Sequence, residues 1–235
     1  MFVFQKFQIL SPFYQEIVID AIIARFLMAN KEEQLWPRIR TIADMNRVLG
    51  FNIEQYFKSY FKTSISFQDR MDYLKLLFGA LRAKKDIYQK YFDAYASLQN
   101  SETIQFFVSK INEEYETGIR AITNDEVILQ KNMNILVGYK LKCPTNDPIL
   151  HDLLPNLERY IAEDSILLLG PARHLNHSCK PNIKVSSTLA LVRFTIIQNN
   201  EEAIGIGTEL KFQYTKKFHP KDDPCTCMEN LQRIN

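Results

Sequence analysis

The chain has little glycine, little proline and no long uninterrupted apolar run. Seven glycines and nine prolines in 235 residues exclude a collagen-like repeat and a Pro/Gly-rich disordered tract. The stretch Ile17 to Met28 is broken by Asp20 and Arg25. It therefore falls short of the ~20 apolar residues a membrane helix needs and reads as a core helix, and no membrane partner is expected. The N-terminus MFVFQKFQIL has no basic segment followed by a long apolar one and a small-residue cleavage site, so no secretion signal is expected. In a non-secreted chain the four cysteines, Cys143, Cys179, Cys225 and Cys227, favour thiol or metal roles over disulfides. An excess of one charge is also missing. With 29 Lys and Arg against 27 Asp and Glu, the net charge of +2 gives no strong signal for direct nucleic-acid binding. The modest basic cluster Arg82, Lys84, Lys85 and Lys90 has Asp86 inside it and reads as a solvated helix face.

What is present is an ordinary globular composition, long enough for one large domain or two small ones. From Pro12 to about Asn100 apolar residues recur at three and four, as in Ile19, Ile22 and Phe26 and again in Tyr73, Leu76, Leu77 and Leu81, which predicts helices. Breaks are expected at Asn30–Pro37, at Gly50–Asn52 and at Asn100–Ser101. Beyond Ser101 the pattern turns to short β-branched and aromatic segments: Thr103–Val108, Gly118–Ile122, Val127–Leu129, Ile135–Tyr139, Ile166–Leu169, Ile183–Ser187, Ala190–Ile197 and Glu209–Tyr214. These predict strands. Helices followed by strands give an α+β fold class, with a helical N-terminal domain over 1–100.

Two strings in the second half carry chemistry. Asn176-His177-Ser178-Cys179-Lys180-Pro181-Asn182 is followed downstream by Gly207-Thr208-Glu209-Leu210-Lys211-Phe212-Gln213-Tyr214. Taken alone, the first is a polar turn closed by Pro181, and the second is a strand whose Leu210, Phe212 and Tyr214 alternate into a core. Together they resemble the paired motifs of the SET domain, the fold of protein-lysine methyltransferases. Leu169-Gly170-Pro171-Ala172 shortly before Asn176, and Leu49-Gly50-Phe51 in the helical half, are similar to segments of the histone H4 lysine-20 methyltransferases of the variegation-suppressor four-twenty type. The resemblance spans about residues 40 to 230, dense in the second half and thin in the first. It implies a SET β-fold over 101–217 with a pseudoknot, packed on the helical domain, and a short post-SET segment over 218–235.

The resemblance also implies roles. Tyr214 is the expected catalytic residue, its hydroxyl beside the transferring methyl group. Asn176 and His177 are expected to contact S-adenosylmethionine, and Gly118 to let the backbone approach it where a side chain would collide. Otherwise Gly118 relieves a turn after Glu116-Thr117. Tyr160 and Thr226 are further candidates for the donor site, against packing and an exposed loop. Zinc is implied through Cys179, Cys225 and Cys227, but Asn230 stands where the family has its fourth thiolate. Structural zinc sites are closed by four ligands, so zinc and plain buried thiols both remain open. Cys143 reads as packing. Two further departures are Thr215–Phe218, where the family prefers glycine after the tyrosine, and an insertion at Gln198–Gly205. The implied partner is the histone H4 tail or the nucleosome, and the implied location is nuclear chromatin. The competing expectations are a SET methyltransferase acting on a non-histone protein and a catalytically silent SET module that binds a histone tail or a partner protein.

Overall fold

The computed structural model describes residues 7–28, 66–111, 114–123, 134–142, 161–162, 166–187, 191–197 and 204–213. Its elements are helices α1 (Pro12–Leu27), α2 (Phe67–Ala80) and α3 (Lys85–Gln99), then strands β1 (Ile104–Ile111), β2 (Glu114–Ala121), β3 (Asn134–Lys142), β4 (Ile161–Ala162) and β5 (Ile166–Leu169). A 3-10 turn at Pro171–His174 follows, then β6 (Asn176–His177), β7 (Ile183–Ser187), β8 (Leu191–Ile196) and β9 (Lys211–Phe212). The fold is α+β. It divides into two compact units, one of Met1–Asn100 with Phe106–Thr117, the other of Ser101–Gln105 with Gly118–Asn235. The expected breaks at Asn30–Pro37 and Gly50–Asn52, and the Val127–Leu129 strand, lie outside the described residues. No helix among the described residues is long and apolar enough to cross a membrane.

In the first unit, α1 begins at Pro12, whose fixed φ and missing N–H suit a helix start. It is buried on every face from Ile17 to Leu27, as befits the central helix of its unit. Its buried Asp20 accepts from the Tyr95 hydroxyl on α3 at 3.2 Å, so the carboxylate enters the interior with a partner. Beside it Glu16 accepts from Tyr91 Oη at 2.7 Å and pairs with Lys90. Burial first, then the charges of Asp20 and Glu16, push the Tyr91 phenol far up and keep it protonated. Helix α2 starts with a capping box: Asp69 N–H donates to Ser66 Oγ at 3.1 Å and Ser66 N–H to Asp69 Oδ2 at 3.2 Å. Its core face is Leu74, Leu77 and Phe78. Leu76, grouped with that face from the sequence, is 75% exposed, because the stripe runs 74-77-78 and position 76 lies off it. Helix α3 buries Tyr91, Phe92, Tyr95 and Leu98 and is capped by Asn100.

The hairpin β1–β2 follows, and its strands run longer than the sequence pattern suggested. Gly118 lies inside β2 rather than after a turn. The second unit centres on an antiparallel five-stranded sheet ordered β4-β5-β3-β8-β7. Gly138, in the middle of β3, is the point where the chain after β5 folds back onto the sheet. A Cβ there would stand 2.7 Å from Ala172 Cβ and 2.7 Å from Leu168 Cδ1. A glycine inside a strand often marks such an approach. Gly138→Ala is therefore expected to destabilise the fold by about 1–3 kcal/mol through overpacking. Denaturant midpoints measure this, and an unchanged midpoint would show that the turn gives way freely.

Candidate functional site

The site lies within the second unit and begins where β5 ends. Gly170 takes φ +79, a left-handed conformation, and a Cβ there would meet the Tyr139 ring at 3.1 Å. Pro171 then opens the 3-10 turn and Ala172 is fully buried. The Leu-Gly-Pro-Ala string thus has a physical reason: a turn only glycine makes without strain, a residue preset for a tight helix, and a small side chain fitting over Gly138. The turn delivers the chain to Asn176.

His174 in this turn is buried, and burial, then the charge of Arg173, holds its imidazole well below the ordinary histidine range. The folded protein keeps it neutral. Below about pH 6.5 the unfolded chain takes up a proton there that the folded chain refuses. His174 therefore makes stability fall with falling pH, by up to about 1.4 kcal/mol per pH unit, and adds no slope above that range. His174→Leu is expected to flatten the stability curve between about pH 6.5 and 5. Parallel curves for the two proteins would contradict this.

The two motif strings meet as a short parallel ladder, Asn176 opposite Lys211 and His177 opposite Phe212. Ser178 N–H donates to Phe212 O and Asn182 N–H to Lys211 O, both at 3.1 Å. On its other side the second string pairs with the end of β2. Leu210 N–H donates to Ile119 O at 2.7 Å, Ala121 N–H to Thr208 O at 2.9 Å, and Arg120 bridges Glu209. Residues 208 and 210 thus turn their backbone groups to β2, while 209 and 211 turn theirs to the first string, as the alternation of a strand requires. The second string is bonded to β2 at Thr208 and Leu210 and to the first string at Lys211 and Phe212.

Side chains reinforce the junction. Asn182 Nδ2 donates to Glu209 O at 2.8 Å and Asn182 Oδ1 accepts from Lys211 N–H at 2.8 Å, so one amide serves as an extra length of ladder. Asn176 Nδ2 donates to Glu209 Oε1 at 2.6 Å, and Lys211 Nζ stands 2.8 Å from Glu209 Oε2. Ser178 closes its own turn, its Oγ donating to Lys180 O and accepting from Lys180 N–H, both at 3.0 Å.

Of the residues singled out from the sequence, the structure places Asn176 and His177 half-buried in the ladder and Gly118 buried in β2, next to Ile119, which pairs with the second string. Cys179 is half-buried, with His177 Nε2 at 3.3 Å from its Sγ. Tyr214, two residues beyond Phe212, lies outside the described residues, as do Tyr160, Cys225, Thr226, Cys227 and Cys143. Among the described residues no three His, Cys, Asp or Glu side chains stand close enough to share a metal ion. The thiol of Cys179 and its imidazole neighbour are nonetheless ligand types that suit zinc. Sequence reasoning assigned no role to Glu209, Asn182 or Lys211. The signal available was a carboxylate and an amide inside otherwise ordered strings, whose partners only the fold could supply.

No protein-family model matches the chain, and no curated protein sequence matches it closely enough to count as a relative. Its chemistry is therefore inferred from the site and from the likeness of its two strings to the SET motifs.

Proposed function

We propose that the chain is an S-adenosylmethionine-dependent protein-lysine methyltransferase of the SET type, acting on the histone H4 tail of the nucleosome, at lysine 20, in the nucleus. The observation that carries the reading is the junction itself. Asn176 and Glu209, 33 positions apart, bond side chain to side chain, and their two strings pair in parallel at Asn176–Lys211 and His177–Phe212. A polar turn closed by Pro181 needs no such partner strand. On this reading the C-terminal segment would thread through an earlier loop, forming the SET pseudoknot.

S-adenosylmethionine, when bound, supplies a methyl group on a cationic sulfur. The chemistry it would supply is transfer of that methyl group to the neutral amine of a target lysine, which the chain's own residues would bind and orient. Gly118, Asn176 and His177 would hold the donor, the first by giving it access to backbone, the other two through side-chain and main-chain polar groups. Tyr160 and Thr226 would complete its surroundings. The Tyr214 hydroxyl would orient the reacting centre. Holding nucleophile, carbon and leaving group in line supplies about 7–11 kcal/mol of such a barrier. On this reading desolvation of the target lysine would lower its pKa, so that it gives up its proton to water before transfer. Cys179, Cys225 and Cys227 would hold zinc and pin the post-SET segment to the first string.

Asn230, in the place of a fourth thiolate, favours a second reading, a SET module that binds a histone tail or partner without methylating it. Both readings are tested with wild-type protein, S-adenosylmethionine and reconstituted nucleosomes. Methyl mass on histone H4 supports the enzyme. Nucleosome binding without mass gain, in folded protein, supports the silent module.

A further inference from the structure

We propose that Glu209 is a positioning residue of the methyl-donor site and acts by fixing which way round the Asn176 amide faces; this rests on the reading of the site given above. A carboxylate only accepts hydrogen bonds, so it selects the nitrogen of a facing amide and never its oxygen. Glu209 Oε1 holds Asn176 Nδ2 at 2.6 Å, and a bond to an ionised acceptor is stronger than one between neutral groups. Its other oxygen faces Lys211 Nζ at 2.8 Å. The carboxylate projects from backbone fixed on both edges: Glu209 O takes the Asn182 amide at 2.8 Å, and the flanking Thr208 and Leu210 are bonded to Ala121 and Ile119. The orienting group therefore has little freedom of its own.

The two ends of an Asn side chain are nearly equal in size, so sterics alone do not choose between its two amide orientations. Glu209 makes the choice, turning the Asn176 carbonyl away from itself. A ligand group meeting that carbonyl must donate a hydrogen bond, as an ammonium or an amine does. S-adenosylmethionine carries both, as does its product S-adenosylhomocysteine, so Glu209 is expected to influence the affinity for each. The effect belongs to binding rather than to the methyl-transfer step, and should appear in the donor KM more than in kcat.

The test uses the full chain and calorimetric titration with S-adenosylmethionine and S-adenosylhomocysteine, with donor KM, kcat and unfolding midpoint recorded for each variant. Glu209→Ala is expected to weaken both ligands by roughly ten- to a hundredfold, the range of coupling between directly bonded side chains. Glu209→Gln, which keeps an acceptor, should lose less. Asn176→Asp opposes two carboxylates and should bind worst, and combining it with Glu209→Gln exchanges donor and acceptor between the partners. Recovery in the double variant of about tenfold over Asn176→Asp alone, with kcat little changed, is the predicted result. Wild-type affinity in Glu209→Ala overturns the proposal. So does failure of the double variant to recover when its unfolding midpoint matches that of Glu209→Gln. Absence of ligand binding by the wild type would remove the methyl-donor reading, and this proposal with it.

Discussion

Replacing Tyr214 by phenylalanine is expected to slow methyl transfer by about a hundred- to a thousandfold, the usual effect of deleting one preorganised donor at a reacting centre. The substitution removes one oxygen and leaves the ring, so folding is expected to survive. A group acting only in the transition state lowers kcat and kcat/KM together. Affinity for S-adenosylmethionine should therefore stay within about threefold of wild type, because under the proposed function the hydroxyl would serve the reaction more than the bound ground state. Single-turnover methyl transfer and calorimetric donor binding measure the two quantities. Unchanged transfer would place Tyr214 in the core, continuing the alternation that buries Leu210 completely.

Asn182→Ala is the second large effect, and it falls on the junction. The Asn182 side chain replaces a missing stretch of ladder, donating to Glu209 O and accepting from Lys211 N–H. Each bond to a neutral group contributes about 1 kcal/mol, and leaving its backbone partner unsatisfied adds to the loss. The residue is half-buried, so water recovers part of that penalty. The expected net destabilisation is about 2–3 kcal/mol, read from the denaturant midpoint at constant m-value. Asn182→Asp keeps the acceptor for Lys211 N–H but sets a carboxylate against the Glu209 carbonyl, so it should recover little. Donor affinity should fall with stability in both variants, since the strand that loses its tie carries Glu209. Wild-type midpoints would mean that the backbone ladder alone holds the two strings.

The sequence was informative where one period dominates. The α1 stretch, the end of α3 at Asn100, and the strands Ile166–Leu169 and Ile183–Ser187 follow from apolar spacing and β-branched runs. The pattern marks only Thr103–Val108 and Gly118–Ile122 of the β1–β2 pair, because the polar residues of Glu114–Thr117 carry no strand pattern of their own and are held by pairing with β1. The Glu209–Tyr214 segment was read as one strand. Within the described residues it is a two-residue strand, Lys211–Phe212, preceded by a bridge at Glu209, because its partner changes from β2 to the first string within a few residues. The site was legible as two strings, not as a junction. Parallel pairing between distant segments leaves no local signature, and the partners of Glu209 and Asn182 are tertiary facts. The Leu-Gly-Pro-Ala string stands out in the sequence as a likeness, while the reason for its alanine lies 34 positions back, at Gly138.

The central claim, methyl transfer to a histone lysine, is tested most directly by intact-mass analysis of reconstituted nucleosomes incubated with S-adenosylmethionine and the wild-type chain. Tyr214→Phe and histone H4 with arginine in place of its target lysine serve as controls. A gain of one or more methyl masses on histone H4, lost in both controls, is the predicted result. No gain on any histone, from folded protein that has been supplied with zinc, would contradict the account and leave the junction as the core of a binding module.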